Sequence, residues 1–340
     1  MCNLGKLCYI KGGTGFPEKY QGNDTGKYPF IKVSDMNLKE NSRYIQAALN
    51  YIDEPVVKKL NAIVFPESSI VFAKVGAALL LNRRRMLKQK TIIDNNMMGL
   101  IPHSIDPLFL YYFMQTIDFG EFVQPGAVPS VNTSLISSLI PLKCSTKEQQ
   151  KIATILETVD TAIEKTENLI SKYEQIKQGM MQDLFTRGVD KNGKLRLTYQ
   201  EAPELYKESE LGMIPKGWKI VPLKDVSNVI DSLHITPKYE DSGYPMIRGT
   251  EINGGYLESE DLENAPKVSE RVFKEFSAGH KPMKNEILMT RVGSYGVASF
   301  IKTDKPFCLG QNTVVIIPEY IDNFYLYIYL STKTTKDQIE

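Results

Sequence analysis

The longest periodic stretch of the chain runs from Ser145 to Thr186, and its apolar positions repeat with the spacing of an α-helix. Ile152, Leu156, Val159, Ile163, Ile170, Tyr173, Met180 and Leu184 form a heptad stripe, interrupted at Thr166 and Lys177 and widened by Ile155, Ala162, Leu169 and Ile176. Ser145 followed by Glu148 is a capping box, Pro141 lies upstream and Gly188 downstream, so both ends carry boundary signals. At 1.5 Å per residue such a helix spans roughly 60 Å. A single wide apolar stripe of that length predicts burial against another helix.

On either side the pattern changes to short strand-like runs separated by turns, and the runs recur. Tyr28 to Asn37 reads YPFIKVSDMN and Tyr244 to Asn253 reads YPMIRGTEIN. SIVFAKVG, ending at Gly76, is answered by EILMTRVG, ending at Gly293; NNMMGLIP from Asn95 by QNTVVIIP from Gln311; and IDPLFLYYFM from Ile105 by IDNFYLYIYL from Ile321. Tyr28 and Tyr244 are 216 residues apart, Gly76 and Gly293 are 217, and Ile105 and Ile321 are 216. Four matches in one order at one spacing are a duplication. In the first copy Asp106 and Pro107 predict the cap and first position of a short aromatic-rich helix.

The expected fold class is therefore α+β: two similar domains of short strands and small helices, joined by one long coiled-coil-type α-helix. The boundaries read as a first domain over 1–144, the long helix over 145–187, a linker over 188–216 and a second domain over 217–340. VPSVNTSLISSLIPL, before the long helix, reads as a strand region, and Asn192-Gly193 in the linker as a hairpin turn.

The 340 residues are enough for two ordinary domains and a connector, and 42% hydrophobic composition supports substantial cores. A formal net charge of +1 neither supports nor excludes a nucleic-acid partner, because a basic face can be balanced by an acidic helix. The four cysteines, Cys2, Cys8, Cys144 and Cys308, form no CxxC pair and read as reduced and structural in a cytoplasmic protein. No apolar run is long enough for a membrane helix.

Catalytic patterns are weak. GVDKNGK, from Gly188, fits the opening of a phosphate-binding loop, but Leu195 stands where a magnesium-binding Ser or Thr belongs. Gly13-Thr14-Gly15 lacks the third glycine of a dinucleotide site. No Asp-X-Lys, Glu-X-Lys or Asn-Pro-Pro-Tyr occurs, and His103, His234 and His280 are scattered. No catalytic residue and no metal ligand is expected. Binding features are stronger. Arg83, Arg84 and Arg85, with Lys88 and Lys90, form a basic run that reads either as a solvated loop or as a phosphate contact. Lys32 matches Arg248 across the copies, and Lys74 matches Arg291. Cations kept at equivalent points suit a repeated anionic ligand, and Arg and Lys pair with phosphates or guanine edges. Tyr20, Tyr239 and Tyr295 lie in turn-like stretches nearby, where they either contact bases or pack.

IPLKCSTKEQQKIATILETVDTAIEKTENLISKYEQIKQGMMQDLFTRGV and ESELGMIPKGW, set between two similar domains, resemble the specificity subunit of type I restriction–modification enzymes. EQQKIA and KQGMMQDLFTRG carry most of the resemblance; GKYPFIKVSDMN and VPSVNTSLISSLIPL also match the family's first recognition domain. The resemblance implies that each domain is a target recognition domain reading one half of a split double-stranded DNA sequence. It implies that the helices set the distance between half-sites and dock two DNA methyltransferase (M) subunits and, in the full enzyme, restriction (R) subunits. It implies no catalysis on this chain, with S-adenosylmethionine, ATP and magnesium on the partner subunits only. DNA contacts are then expected at Lys32, Lys74, Arg83, Arg84, Arg85, Arg248, Arg291 and Tyr295, and helix pairing or subunit contact along the eight stripe residues from Ile152 to Leu184. Alternatives stay open: the recognition subunit of a related restriction system, a stand-alone DNA-modifying enzyme, or a coiled-coil adaptor.

Two departures from the family bear on assembly. The chain starts at MCNLGKL, without the Gly217-Trp218 entry of the second copy. Carrying the 216-residue offset forward puts the counterpart of Gln124 at Glu340, so the second copy lacks the equivalent of 125–143 and of the long helix. The expectation is self-association through the stripe, or pairing with a second half-subunit.

Overall fold

The computed structural model describes residues 3–123, 128–141 and 144–339. Cys2, Gln124 and Glu340, invoked above, lie outside the described residues. Two compact units divide the chain, Met1–Leu169 and Ile170–Glu340. The boundary falls inside the long helix, so each unit carries part of it.

In the first unit the elements run β1 (Cys8–Gly12), β2 (Tyr28–Ile31), β3 (Tyr44–Ile45), β4 (Tyr51–Ile52), α1 (Glu54–Leu60), β5 (Val64–Phe65), β6 (Ile70–Ala73), α2 (Ala77–Leu80), β7 (Arg84–Leu87), β8 (Thr91–Ile93), β9 (Met97–Pro102), α3 (Pro107–Gln115), α4 (Thr133–Ser138) and α5 (Thr146–Thr186). β6 is buried at all four positions, as expected of a run covered on both faces. It lies third in a five-stranded sheet of order β1-β9-β6-β7-β3. A second sheet has the order β4-β2-β8-β5.

The second unit repeats this plan. Its elements are β10 (Tyr206–Lys207), β11 (Ile214–Pro215), β12 (Ser227–Asp231), β13 (Tyr244–Ile247), β14 (Gly255–Leu257), α6 (Asp261–Asn264), β15 (Lys267–Val268), α7 (Glu270–Phe276), β16 (Ile287–Thr290), β17 (Ala298–Ile301), β18 (Cys308–Leu309), β19 (Thr313–Pro318), α8 (Asn323–Leu330) and α9 (Lys333–Ile339). Its large sheet has the order β12-β19-β16-β17-β14, strand for strand that of the first unit. In both, the outermost short strand pairs in parallel with its neighbour, Tyr44 with Met86 and Tyr256 with Phe300.

The helices that cover the two sheets are equivalents as well. Asp106 Oδ1 accepts from the Phe109 amide at 2.9 Å to start α3, and Asp322 Oδ1 accepts from the Tyr325 amide at 2.7 Å to start α8. Leu110, Tyr111 and Met114 are buried beneath α3, as are Leu326, Tyr327 and Leu330 beneath α8. Each such side chain contributes about 1.5–3 kcal/mol by leaving water.

The VPSVNTSLISSLIPL segment departs from the strand expected of it. Asn132 Oδ1 accepts from the Leu135 amide at 2.9 Å and opens the helix α4; among the described residues of this segment β-pairing is limited to a Val75–Ser130 bridge. The N-cap overrides the apolar alternation. Ser145 caps α5, its Oγ accepting from the Glu148 amide at 3.3 Å. The other end of α5 is closed by Gly188 at φ +61, where an added Cβ would strike the Trp218 ring. Cys8, Cys144 and Cys308 are unpaired, and burial pushes the thiols of Cys8 and Cys308 up to about 12. Among the described residues no helix is long and apolar enough to cross a membrane.

Candidate nucleic-acid interface

Lys74 and Arg291 each follow the central strand of their unit's large sheet. The Lys74 amide donates to the Asn96 carbonyl at 2.8 Å, and the Arg291 amide to the Asn312 carbonyl at 2.9 Å. The chain turns away two residues later at Gly76 (φ +78) and Gly293 (φ +81), a conformation that only glycine adopts without strain. The same backbone device therefore presents a cation at the same end of each sheet. The surroundings differ. Lys74 Nζ lies close to Gly12, at the end of β1, whose missing side chain leaves it room. Arg291 Nη1 donates to Asp231, at the end of β12, and to His234 Nε2 at 2.8 Å. Tyr295 lies in the loop after Gly293 and is 46% exposed.

Lys32 and Arg248 are likewise placed alike, each at the entrance of a short 3-10 helix after a buried strand. The Lys32 amide donates to Asp35 Oδ2 at 2.6 Å and the Arg248 amide to Glu251 Oε2 at 2.9 Å. The side chains differ again. Lys32 Nζ donates to Gln21 Oε1 at 2.9 Å. Arg248 grips Glu251 in a two-point ion pair, Nε to Oε2 at 3.0 Å and Nη2 to Oε1 at 2.6 Å, and lies over the Tyr239 ring. Burial pushes the Glu251 carboxyl up, but the Arg248 guanidinium and amide outweigh it and hold the carboxyl below its ordinary value.

The basic run is corrected in part. Arg84 is fully buried and begins strand β7, so it is not available to a phosphate. Its guanidinium donates to the Asn82 and Ile117 carbonyls and stacks 4.0 Å from the Phe119 ring centroid, and burial pushes its pKa down to about 10. Arg85 is half-buried and donates to the Asn41 and Met36 carbonyls. Arg83 donates to Asn37 Oδ1. Of the five cations of this run, only Lys88 and Lys90 are exposed. Arg84 and Arg85 stand on strand β7, not on a solvated loop, and the strand turns Arg84 into the domain.

Within the first unit the long helix turns its apolar stripe away from the domain, as a surface kept for pairing requires. Its polar row faces the domain: Tyr44 Oη donates to Glu157 Oε1 at 3.0 Å, Tyr112 Oη to Asp160 Oδ2 at 2.9 Å, and Arg43 Nη2 to Thr161 Oγ1 at 3.3 Å, 3.5 Å from Glu164 Oε2. Burial and the neighbouring carboxylates push the hydroxyls of Tyr44 and Tyr112 above their ordinary value, so they stay protonated donors. The apolar row faces solvent. Ile152, Leu156, Val159, Ile163, Ile170, Tyr173, Met180 and Leu184 are between 39% and 61% exposed. Within the second unit Phe185 packs on Tyr325 and Tyr329, and Met180, Leu184, Val189 and Trp218 line an apolar cavity of about 690 Å³.

Asp231, Gly12 and the Arg43–Tyr112 joint were not singled out from sequence. Gly12 and Asp231 are 219 residues apart, off the constant spacing that exposed the duplication. The acidic row Glu157, Asp160, Glu164 and its partners, far away in sequence, were not singled out either.

A model described as the type I restriction modification DNA specificity domain matches residues 1–175 and 215–339. The MjaX specificity subunit of Methanocaldococcus jannaschii, described as a type I restriction enzyme subunit, is 24% identical over 336 residues, covering 92% of this chain and 71% of its own length. The type I restriction enzyme EcoBI specificity subunit of Escherichia coli is 27% identical over 209 residues, covering 58% of this chain and 42% of its own length. In fold, the chain is similar to the S subunit of a type I restriction-modification system from M. genitalium, with TM-score 0.56 at 13% identity over 99% of this chain and 77% of that one.

Proposed function

This chain belongs to the type I restriction modification DNA specificity family, and we propose that it recognises a two-part DNA target, one part with each strand-rich unit. The observation that carries this reading is the duplicated cation, Lys74 and Arg291, at one register of two sheets with one strand order. A repeated presentation of positive charge suits two separated stretches of the same polyanion. Arg248, Lys32 and Tyr295 lie on the neighbouring turns and extend the contact; Arg85, half-buried on the Asn41 and Met36 carbonyls, contributes less.

In this reading the chain has no catalysis of its own and acts in the cytoplasm. It brings two DNA methyltransferase subunits, and restriction subunits in the full enzyme, to the site; S-adenosylmethionine, ATP and magnesium serve those partners. The solvent-facing stripe from Ile152 to Leu184 is the surface for helix pairing, with such a subunit or a second copy. An apolar row this long is covered in a working assembly.

The test is binding of the full chain, alone and with its methyltransferase subunits, to a random duplex library over a range of salt. Binding that weakens steeply with salt is expected, as is a shallower salt slope, by about one, for Lys74→Glu or Arg291→Glu. Salt-independent binding, or normal binding by both variants, contradicts the assignment.

A further inference from the structure

β1 pairs with β9 so that Gly12 faces Met98, and β12 pairs with β19 so that Asp231 faces Val314. Met98 and Val314 are equivalents in the duplicated strand, so Gly12 and Asp231 occupy one position of the fold. At that position the two units carry different chemistry. In the first, a Cβ on residue 12 would lie 3.4 Å from Lys74 Nζ, so the ammonium takes the space that a side chain would fill. In the second, the Asp231 carboxylate fills that space and holds the Arg291 guanidinium, with His234 on the same nitrogen. The first unit presents a bare donor. The second presents a fixed donor beside an acceptor.

We propose that Asp231 is a specificity-determining residue of the second unit, reading a G·C pair together with Arg291. This rests on the DNA-recognition reading given above. Arg291 Nη1 is committed to Asp231 and His234, while among the described residues its Nε and Nη2 make no hydrogen bond. That free edge of the fork matches guanine O6 and N7. Asp231 engages Arg291 and His234 through Oδ2, and among the described residues its Oδ1 makes no hydrogen bond, which leaves it to accept from cytosine N4. The ion pair also fixes the arginine, whose long side chain otherwise spends entropy on being held in one geometry. Among the described residues Lys74 Nζ makes no hydrogen bond or ion pair, and a compact ammonium donates equally to phosphate or to a guanine edge. The two halves of the target are therefore read with unequal stringency at this position.

The experiment is motif selection from a randomised duplex library by the full chain with its methyltransferase subunits, for the wild type, Asp231→Gly and Asp231→Asn. Asp231→Gly recreates the first unit's residue at an exposed position. It is expected to keep salt-dependent affinity for random duplex and to lose discrimination at one G·C pair by about ten-fold or more. Asp231→Asn keeps the size and one acceptor oxygen and is expected to lose less. If both variants select the wild-type motif at every position, Asp231 reads no base and the inference falls while the DNA reading stands. If the wild type selects no motif, the DNA reading falls and takes the inference with it.

Discussion

Arg43 Nη2 lies 3.5 Å from Glu164 Oε2, joining a buried arginine of the first unit to the polar row of α5. The Arg43 side chain is 10% exposed and that of Glu164 37%, so the pair is only partly screened by water. Arg43 also reaches Thr161 and Tyr112, and its Nε has no partner among the described residues. Burial works against its charge, but the Tyr112 hydroxyl and the Glu164 field keep it charged. The same contacts fix which face of α5 looks outward.

Arg43→Ala is expected to destabilise the first unit by about 1–3 kcal/mol, since it leaves the Tyr112 hydroxyl oxygen, Thr161 and Glu164 without their Arg43 donor. The loss should be concentrated in the start of α5. Hydrogen exchange checks this: amides between residues 150 and 165 should exchange faster, while those of β6 and β9 stay protected.

Arg84 provides a contrast within the basic run. Because its guanidinium serves two backbone carbonyls inside the domain, Arg84→Ala should cost about 2–3 kcal/mol of unfolding stability. DNA affinity per folded molecule should be unchanged. Chemical denaturation and duplex titration on one sample separate the two.

Polar substitution on the stripe should behave in the opposite way. Ile163 and Ile170 are 50% and 53% exposed, so Ile163→Asp and Ile170→Asp are expected to change the stability of the isolated chain by about 0.5 kcal/mol or less. Co-purification with a methyltransferase subunit should drop. Wild-type recovery of the complex by both variants would mean that the stripe is an idle surface.

A pH dependence follows from the Arg248–Glu251 pair. The Glu251 carboxyl is held below its ordinary 4.5 in the folded state. Its contribution is therefore fully present above that value and is lost as pH falls through the lower, folded one. Glu251→Gln removes the contribution altogether. The stability gap between the wild type and this variant, measured by urea unfolding, should be largest at neutral pH and shrink on acidification below 4.5.

Much of this architecture was legible because duplication writes the same local signals twice. The Asp106 and Asp322 caps, the glycines after Lys74 and Arg291, and the strands beginning at Ile70 and Ile287 all follow from residue types at one spacing. The stripe was legible both as a pattern and as a surface for pairing, but the polar contacts that hold the opposite side of α5 on the first unit were not. Periodicity fixes which residues share a face, and only the partners Arg43, Tyr44 and Tyr112 decide which face turns inward. Arg84 was misplaced because three consecutive arginines look alike in sequence, and strand geometry then separates them. Asp231 was hidden by a local shift of three residues in the duplication, which pairing with β19 resolves. Asn132 turned an apolar, strand-like segment into α4 through one side-chain hydrogen bond.

The central claim is that two copies of one fold read two parts of one DNA target. Mapping DNA methylation in cells that carry this chain with its methyltransferase tests it most directly. The account predicts a single motif of two defined blocks separated by an unread gap of fixed length, with Arg291→Glu altering one block and Lys74→Glu the other. A contiguous motif, or methylation indifferent to both substitutions, would contradict it.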